Sequence, residues 1–193
     1  MKNKKHNRNN GFTLIEILVS ISLFVVVVVI TSSVYTLAQR TYRSSGADSE
    51  LWQNARVVLD RMSREIRQAE GLISALPAVK DDPLNPPLTE IEFQDGHDLT
   101  EIKYIKYYLD NNEIKRQLIV YYFDTDPDTY VFWNSLDSFD NLPQQLILED
   151  QLVGEYFSVL SLWGPTNLIN IEVSLEKDGQ QIELLTAAYG RNL

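Results

Sequence analysis

The first feature of the chain is an unbroken apolar stretch near its start. Between residues 11 and 39 the only charged side chain is Glu16, and five consecutive valines occupy positions 25–29. The 23 uncharged residues at 17–39 would span about 35 Å as a helix, which is enough to cross the roughly 30 Å core of a bilayer. We therefore predict a transmembrane helix within residues 12–39.

A different pattern follows over residues 40–70, where apolar positions recur every three or four residues, as on one face of a helix. These positions are Leu51, Ala55, Val58, Leu59, Met62, Ile66 and Ala69. The other side is charged and offers three i,i+4 pairs: Arg56 with Asp60, Asp60 with Arg64, and Arg61 with Glu65. The two patterns predict one helix over about 12–70, weakest at residues 44–46 and capped by Gly71. Its second half should pack on the domain that follows.

Residues 71–193 read as an antiparallel β domain. Four prolines within 77–88 predict a surface loop. Short runs rich in β-branched and aromatic residues then predict strands at Thr89–Phe93, Glu101–Leu109, Glu113–Phe123, Thr129–Trp133, Gln151–Trp163, Leu168–Glu176 and Gln180–Tyr189. Residues 110–112 and 177–180 supply hairpin turns. The predicted fold class is α+β, a long N-terminal helix packed on an antiparallel meander.

Charge is distributed unevenly along the 193 residues, whose net charge is -10. Residues 1–11 carry four basic side chains and no acid, residues 12–70 are balanced, and residues 71–193 carry 7 basic against 21 acidic residues, or -14. A basic leader before the span predicts a cytoplasmic N-terminus and an exported C-terminal domain. The acidic domain is a poor nucleic-acid binder. The absence of cysteine excludes disulfides, zinc–thiolate sites and a cysteine nucleophile.

The junction between leader and span carries the most specific motif. The string G-F-T-L-I-E begins at Gly11, after a short basic leader and before about 20 apolar residues. It resembles the processing site of type IV prepilins and pseudopilins. The resemblance implies that prepilin peptidase cuts after Gly11 at the cytoplasmic face and methylates the new amino terminus of Phe12. It also implies that Glu16, the fifth residue after the cut, acts in assembly.

Glu16 has a physical peculiarity of its own. A carboxylate inside a membrane segment costs about 2.5–3.5 kcal/mol near the centre of the span and less near an interface, so it usually has a partner. No Lys or Arg lies within two helical turns of it. The α-amine of Phe12 on a neighbouring subunit would suit, because their attraction in a low dielectric would fix the axial register. The other interpretation is an acid that reaches the headgroup level and has no role.

Weaker features suggest a subclass within this family. The pattern at Trp52–Ala69, the hairpin at Tyr108–Arg116 and the Arg191-Asn192-Leu193 ending are similar to J-type minor pseudopilins or W-type minor pilins. The resemblance implies a structural subunit without cofactors, at or near the tip of a type IV pilus or type II secretion pseudopilus. Its partners would be other pilin-type subunits, prepilin peptidase and the inner-membrane assembly platform.

Two alternatives come from other classes of protein. A single-pass, membrane-anchored binding domain would never be assembled into a filament and would keep residues 1–11. An exported enzyme would need a cleft with perturbed carboxylates, and the sequence reveals none.

Few residues suggest catalytic or metal chemistry. The acidic string Asp124, Asp126 and Asp128 has the spacing that opens an EF-hand loop, but Thr129 stands at the sixth position and Ser135 at the twelfth. We retain it as a weak calcium candidate and otherwise predict no metal site. With only two histidines, a catalytic triad is not indicated. None of the eight glycines belongs to a phosphate-binding Gly-x-x-x-x-Gly-Lys loop.

Overall fold

A computed structural model describes residues 12–97, 101–165 and 167–191. One 55-residue helix, α1 (Leu14–Gln68), is continuous through residues 44–46, where the sequence predicted its weakest point. The chain divides into two compact units between Ser45 and Gly46, so the second half of α1 belongs to the same unit as the strands.

The first unit, over its described residues 12–45, is helix with almost no internal packing. Every side chain from residue 12 to residue 43 is exposed, including all those of the apolar run. Length and composition alone make this helix a candidate membrane span. Because none of the described residues covers its apolar surface, the stabilising surroundings must be lipid or other proteins.

The described residues of the second unit form nine strands in two antiparallel sheets. Sheet A has six strands in the order β1-β2-β3-β4-β5, with β6 also paired to β4; sheet B has the order β7-β8-β9. The strands are β1 (Gly71–Leu72), β2 (Glu90–Gln94), β3 (Tyr104–Asp110), β4 (Glu113–Phe123), β5 (Asp126–Val131), β6 (Gln144–Glu155), β7 (Phe157–Trp163), β8 (Leu168–Lys177) and β9 (Gln180–Tyr189).

The core lies between the amphipathic half of α1 and both sheets. The helix, with Ala69 directly after its end, contributes the apolar positions predicted from the periodicity, all fully buried except the partly buried Leu59. The sheets contribute residues that alternate along their strands, chiefly Ile91, Phe93, Ile105, Tyr107, Ile114, Phe157, Leu160, Leu162, Ile169, Ile171, Val173 and Leu175. The predicted α+β fold class, a long helix on antiparallel sheet, is confirmed.

Both predicted hairpins are present. Asp110 pairs with Glu113 across Asn111 and Asn112, whose φ angles are 47° and 68°. Lys177 pairs with Gln180 across Asp178 and Gly179, with φ angles of 50° and 77°. Two successive residues with positive φ suit a two-residue hairpin, because such a turn matches the right-handed twist of the strands.

Several local predictions were wrong. The predicted strand at 151–163 is two strands in different sheets, separated at Tyr156, whose φ is 71°. Residues 144–150 also belong to β6. The sequence did not predict a strand there, because apolar and polar residues do not alternate in that segment. The strands do not form a simple meander, because β6 pairs with β4. Gly71 does not cap α1, since the helix ends at Gln68 and Gly71 lies in β1.

The predicted charge pairs on α1 formed in one case of three. Arg61 Nε lies 3.3 Å from Glu65 Oε1. Within the described part of the chain, Asp60 makes no ion pair with Arg56 or Arg64. Arg56, Asp60 and Arg64 are exposed. An ion pair between exposed side chains adds little to the stability of a protein, so little drives these two pairs to form.

Candidate processing and assembly site

The residues at the start of α1 form a reciprocal helix cap. Thr13 N donates to Glu16 Oε2 at 2.8 Å, and Thr13 Oγ1 lies 3.0 Å from the same oxygen. In return, Glu16 N donates to Thr13 Oγ1 at 3.3 Å. This is the capping-box arrangement, in which an N-cap Thr and a Glu three residues later satisfy each other's free backbone N–H groups. The T-x-x-E spacing could have predicted it.

The cap gives Glu16 a local role that the sequence analysis missed. Only Oε2 is engaged, and Oε1 has no partner among the described residues. A carboxylate at the first turn also interacts favourably with the positive end of the helix dipole. The side chain is therefore held by its own chain through one oxygen, and its second oxygen is available to a donor from outside.

Of the two residues that flank the predicted cut, the structure describes Phe12. Phe12 precedes the helix and is 84% exposed. Gly11, the rest of the leader (residues 1–11) and the terminal Asn192 and Leu193 lie outside the described residues. The cleavage and methylation positions thus rest on the sequence motif.

Five of the six Ser and Thr hydroxyl groups between residues 20 and 36 are satisfied by the helix itself. Their donors pair with backbone carbonyls three or four residues earlier: Ser20 with Glu16, Ser22 with Leu18, Thr31 with Val27, Ser33 with Val29 and Thr36 with Ser33. Polar groups paired in this way suit a helix surrounded by hydrocarbon, where an unpaired group costs several kcal/mol. Glu16 then remains the one charged side chain between residues 12 and 39.

The weak calcium candidate does not assemble. Asp126 and Asp128 lie in β5 and are exposed, and Asp124 Oδ2 accepts a hydrogen bond from Gln144 Nε2 at 2.6 Å. Over the described ranges, no three His, Cys, Asp or Glu side chains come together in a group that could hold a metal ion. Asp126 and Asp128 lie on the same face of an extended strand but about 6.6 Å apart along it, whereas an EF-hand loop curls so that its ligands converge on one ion.

Comparison with known proteins bears on this same segment. Residues 6–32 match the family described as the prokaryotic N-terminal methylation motif. The chain carries a prepilin-type motif. The matched residues include Gly11, Phe12 and Glu16, and run well into the apolar helix.

The motif supports a type IV prepilin-like protein, and it marks a family that is structural rather than catalytic. With the exposed apolar helix, it fits a single-pass protein anchored in the inner membrane. No curated protein and no solved structure matches the chain.

Proposed function

We propose that this chain is a minor pilin or pseudopilin subunit. Prepilin peptidase cleaves it after Gly11 and methylates the amine of Phe12. The subunit rests in the inner membrane, with its acidic domain outside the cytoplasm. With unlike pilin-type subunits and the inner-membrane assembly platform, it then enters a type IV pilus or type II secretion pseudopilus, at or near the tip. Its role is structural, without catalysis.

The uncovered apolar helix with a single carboxylate at its start carries this proposal. Transfer of such a helix from lipid to a bundle of similar helices exchanges one apolar environment for another. Apolar burial therefore gives little preference between the two states or among axial registers. An attraction between Glu16 and the Phe12 amine of a neighbouring subunit would favour the assembled state and also select one axial register. Glu16 Oε1 is available for it, since this oxygen has no described partner on its own chain.

Intact-mass analysis of the protein from its native membranes tests the processing step. We expect the loss of residues 1–11 and the gain of one methyl group on the Phe12 amine. A Gly11→Val variant serves as the control and should keep the full chain mass. An uncut native protein would contradict the proposal and favour a membrane-anchored domain that is never assembled.

Substitution at Glu16 separates its two roles. Glu16→Gln keeps a side-chain oxygen for Thr13 N but removes the charge, whereas Glu16→Ala removes both. If charge pairing drives assembly, both variants should be cut normally, yet both should be depleted from sheared filaments or from crosslinked subunit complexes. Incorporation of Glu16→Gln at the wild-type level would show that the cap suffices and would refute the pairing.

A further inference from the structure

One side of the amphipathic half of α1 is left open beside the last strand of sheet B. A groove of about 980 Å³ runs along the helix from Ser49 to Arg67 and is bounded by Leu184, Leu185 and Thr186 of β9. We call it the β9 groove. The helical stretch rises by about 27 Å, which matches roughly eight residues of extended chain.

The strand beside the groove has an open edge. β9 pairs with β8 only, and across the described residues no other backbone group bonds to Gln180–Tyr189. The two-residue turn makes Lys177–Gln180 a hydrogen-bonded pair, and hydrogen-bonded and non-bonded pairs alternate from there. The residues whose N–H and C=O groups point away from β8 are therefore Gln181, Glu183, Leu185, Ala187 and Tyr189.

This edge lacks the features that usually protect an open strand. Natural edges carry charges, prolines or bulges that prevent pairing with another chain. β9 has ten residues, with Glu183 as its one charge, no proline and no register shift against β8. The other long open edge, β6, has three carboxylates at Glu149, Asp150 and Glu155 and two register shifts against β4. An unprotected edge of this length indicates a strand that receives a partner.

The charge of the β9 groove is opposite to that of the domain around it. Arg56, Arg64 and Arg67 line it with Asp60, which gives three positive charges against one negative. The three guanidinium groups make no ion pair or side-chain hydrogen bond with any described residue. Residues 71–193 carry a net charge of -14, so this basic surface on an acidic domain selects for a carboxylate-bearing partner.

The groove also offers apolar contact. Trp52, on its helical wall, is 53% exposed, and Leu185, on its strand wall, is 65% exposed. Alternation of side chains along an added strand would place one set toward the helix and the other toward solvent. A segment that alternates acidic and apolar residues would therefore satisfy both the arginines and the apolar walls.

We propose that the β9 groove binds an extended acidic segment of a different partner protein, which adds to β9 as a fourth strand of sheet B. Backbone hydrogen bonds to the outward groups of β9 provide the affinity. Contacts of carboxylates with Arg56, Arg64 and Arg67 provide the selectivity. This proposal does not depend on cleavage after Gly11, so it can fail or hold independently of the proposed function.

The test uses the full chain in detergent micelles and a blocked ten-residue peptide in which glutamate alternates with valine. Calorimetric titration should show binding that weakens as salt is raised. Arg56→Gln with Arg64→Gln should weaken it about fivefold or more. The matched control, Arg40→Gln with Arg43→Gln on the same helix outside the groove, should leave it unchanged. Equal weakening by both pairs, or no binding at about 1 mM peptide, would overturn the proposal.

Strand addition is tested separately from charge. The Leu185→Pro variant removes an outward-facing N–H, a change that an edge strand tolerates, and should abolish binding while the unfolding midpoint stays near that of the wild type. Peptide should slow amide exchange at Glu183, Leu185 and Ala187. The same peptide N-methylated on alternate residues should not bind.

Two further results would also decide against the proposal. If exchange at those three amides is unaffected by bound peptide, the peptide is not an added strand. If the chain associates with itself through this groove, in a manner lost with Arg56→Gln and Arg64→Gln, the occupant is a second copy and not a different partner. Sedimentation velocity of the wild type and of this variant measures that association.

Discussion

A polar cluster links α1 to sheet A inside an otherwise apolar interface, and its removal gives a sharp test of the fold. Glu65 Oε2 accepts hydrogen bonds from Tyr107 Oη at 2.7 Å and from Arg116 Nε at 3.0 Å. Glu65 Oε1 lies 3.3 Å from Arg61 Nε. The side chains of Glu65 and Arg116 are 16% and 10% exposed, so the pair is largely removed from water.

The two partners should respond differently to replacement. Glu65→Leu leaves the Arg116 guanidinium buried without a carboxylate, and we expect a loss of about 3 kcal/mol in the free energy of unfolding, at the low end for a broken buried pair. Arg116→Met should cost about 2 kcal/mol, because Tyr107 and Arg61 still satisfy Glu65. The double variant should cost clearly less than the sum, since no buried charge is left unpaired.

Urea denaturation of the full chain in micelles, followed by tryptophan fluorescence and near-ultraviolet circular dichroism, measures these values. The four proteins of the double-mutant cycle should give a coupling energy of at least about 1 kcal/mol. Costs below about 0.5 kcal/mol for both single variants would refute the reasoning, because solvated surface pairs behave in that way.

Three other predictions concern the same domain. Gly154→Ala should destabilise it by about 1–3 kcal/mol in urea denaturation, because a Cβ there would lie 2.4 Å from Val58 Cγ2. Burial raises the pKa of Tyr107 and Tyr121, so the stability that their neutral forms provide is complete below about pH 10 and is lost as the pH rises further. Urea midpoints should fall above that pH, and Tyr121→Phe should flatten the decline. Asn112→Gly should raise the thermal midpoint slightly, because glycine adopts the φ of 68° without strain; an unchanged or lower midpoint would contradict this.

Local patterns predicted the parts of the fold that depend on local physics. The periodicity of α1 predicted its buried face, because apolar residues three and four apart lie on one side of any helix. The turns at Asn111–Asn112 and Asp178–Gly179 were predicted because few residue types accept positive φ. These features follow from segments of fewer than about ten residues, or from one repeating spacing.

Features that join distant segments were not predicted. Glu65 and Arg116 are 51 positions apart, and each resembles an ordinary surface charge when it is considered alone. The division into two sheets depends on a change of direction at Tyr156, a single residue within the segment 151–163 that the sequence predicted as one strand. The β9 groove forms only when residues 49–67 are set beside residues 184–186. Arg56 and Arg64 were interpreted as members of helix-surface pairs, because the sequence did not show which strand would be their neighbour.

The two halves of α1 are stabilised by different surroundings, so a substitution in one half should not affect the other. Burial along the helix begins at Ala47, whereas side chains 12–43 contact nothing that would bury them within the described chain. Apolar packing therefore stabilises the second unit through residues after 46, while the first unit depends on lipid or on other proteins. Substitutions at Glu16 should accordingly leave the urea midpoint of the domain unchanged, and those at Glu65 should leave processing unchanged. A shift of that midpoint in Glu16→Ala would mean that the two units share stabilising contacts.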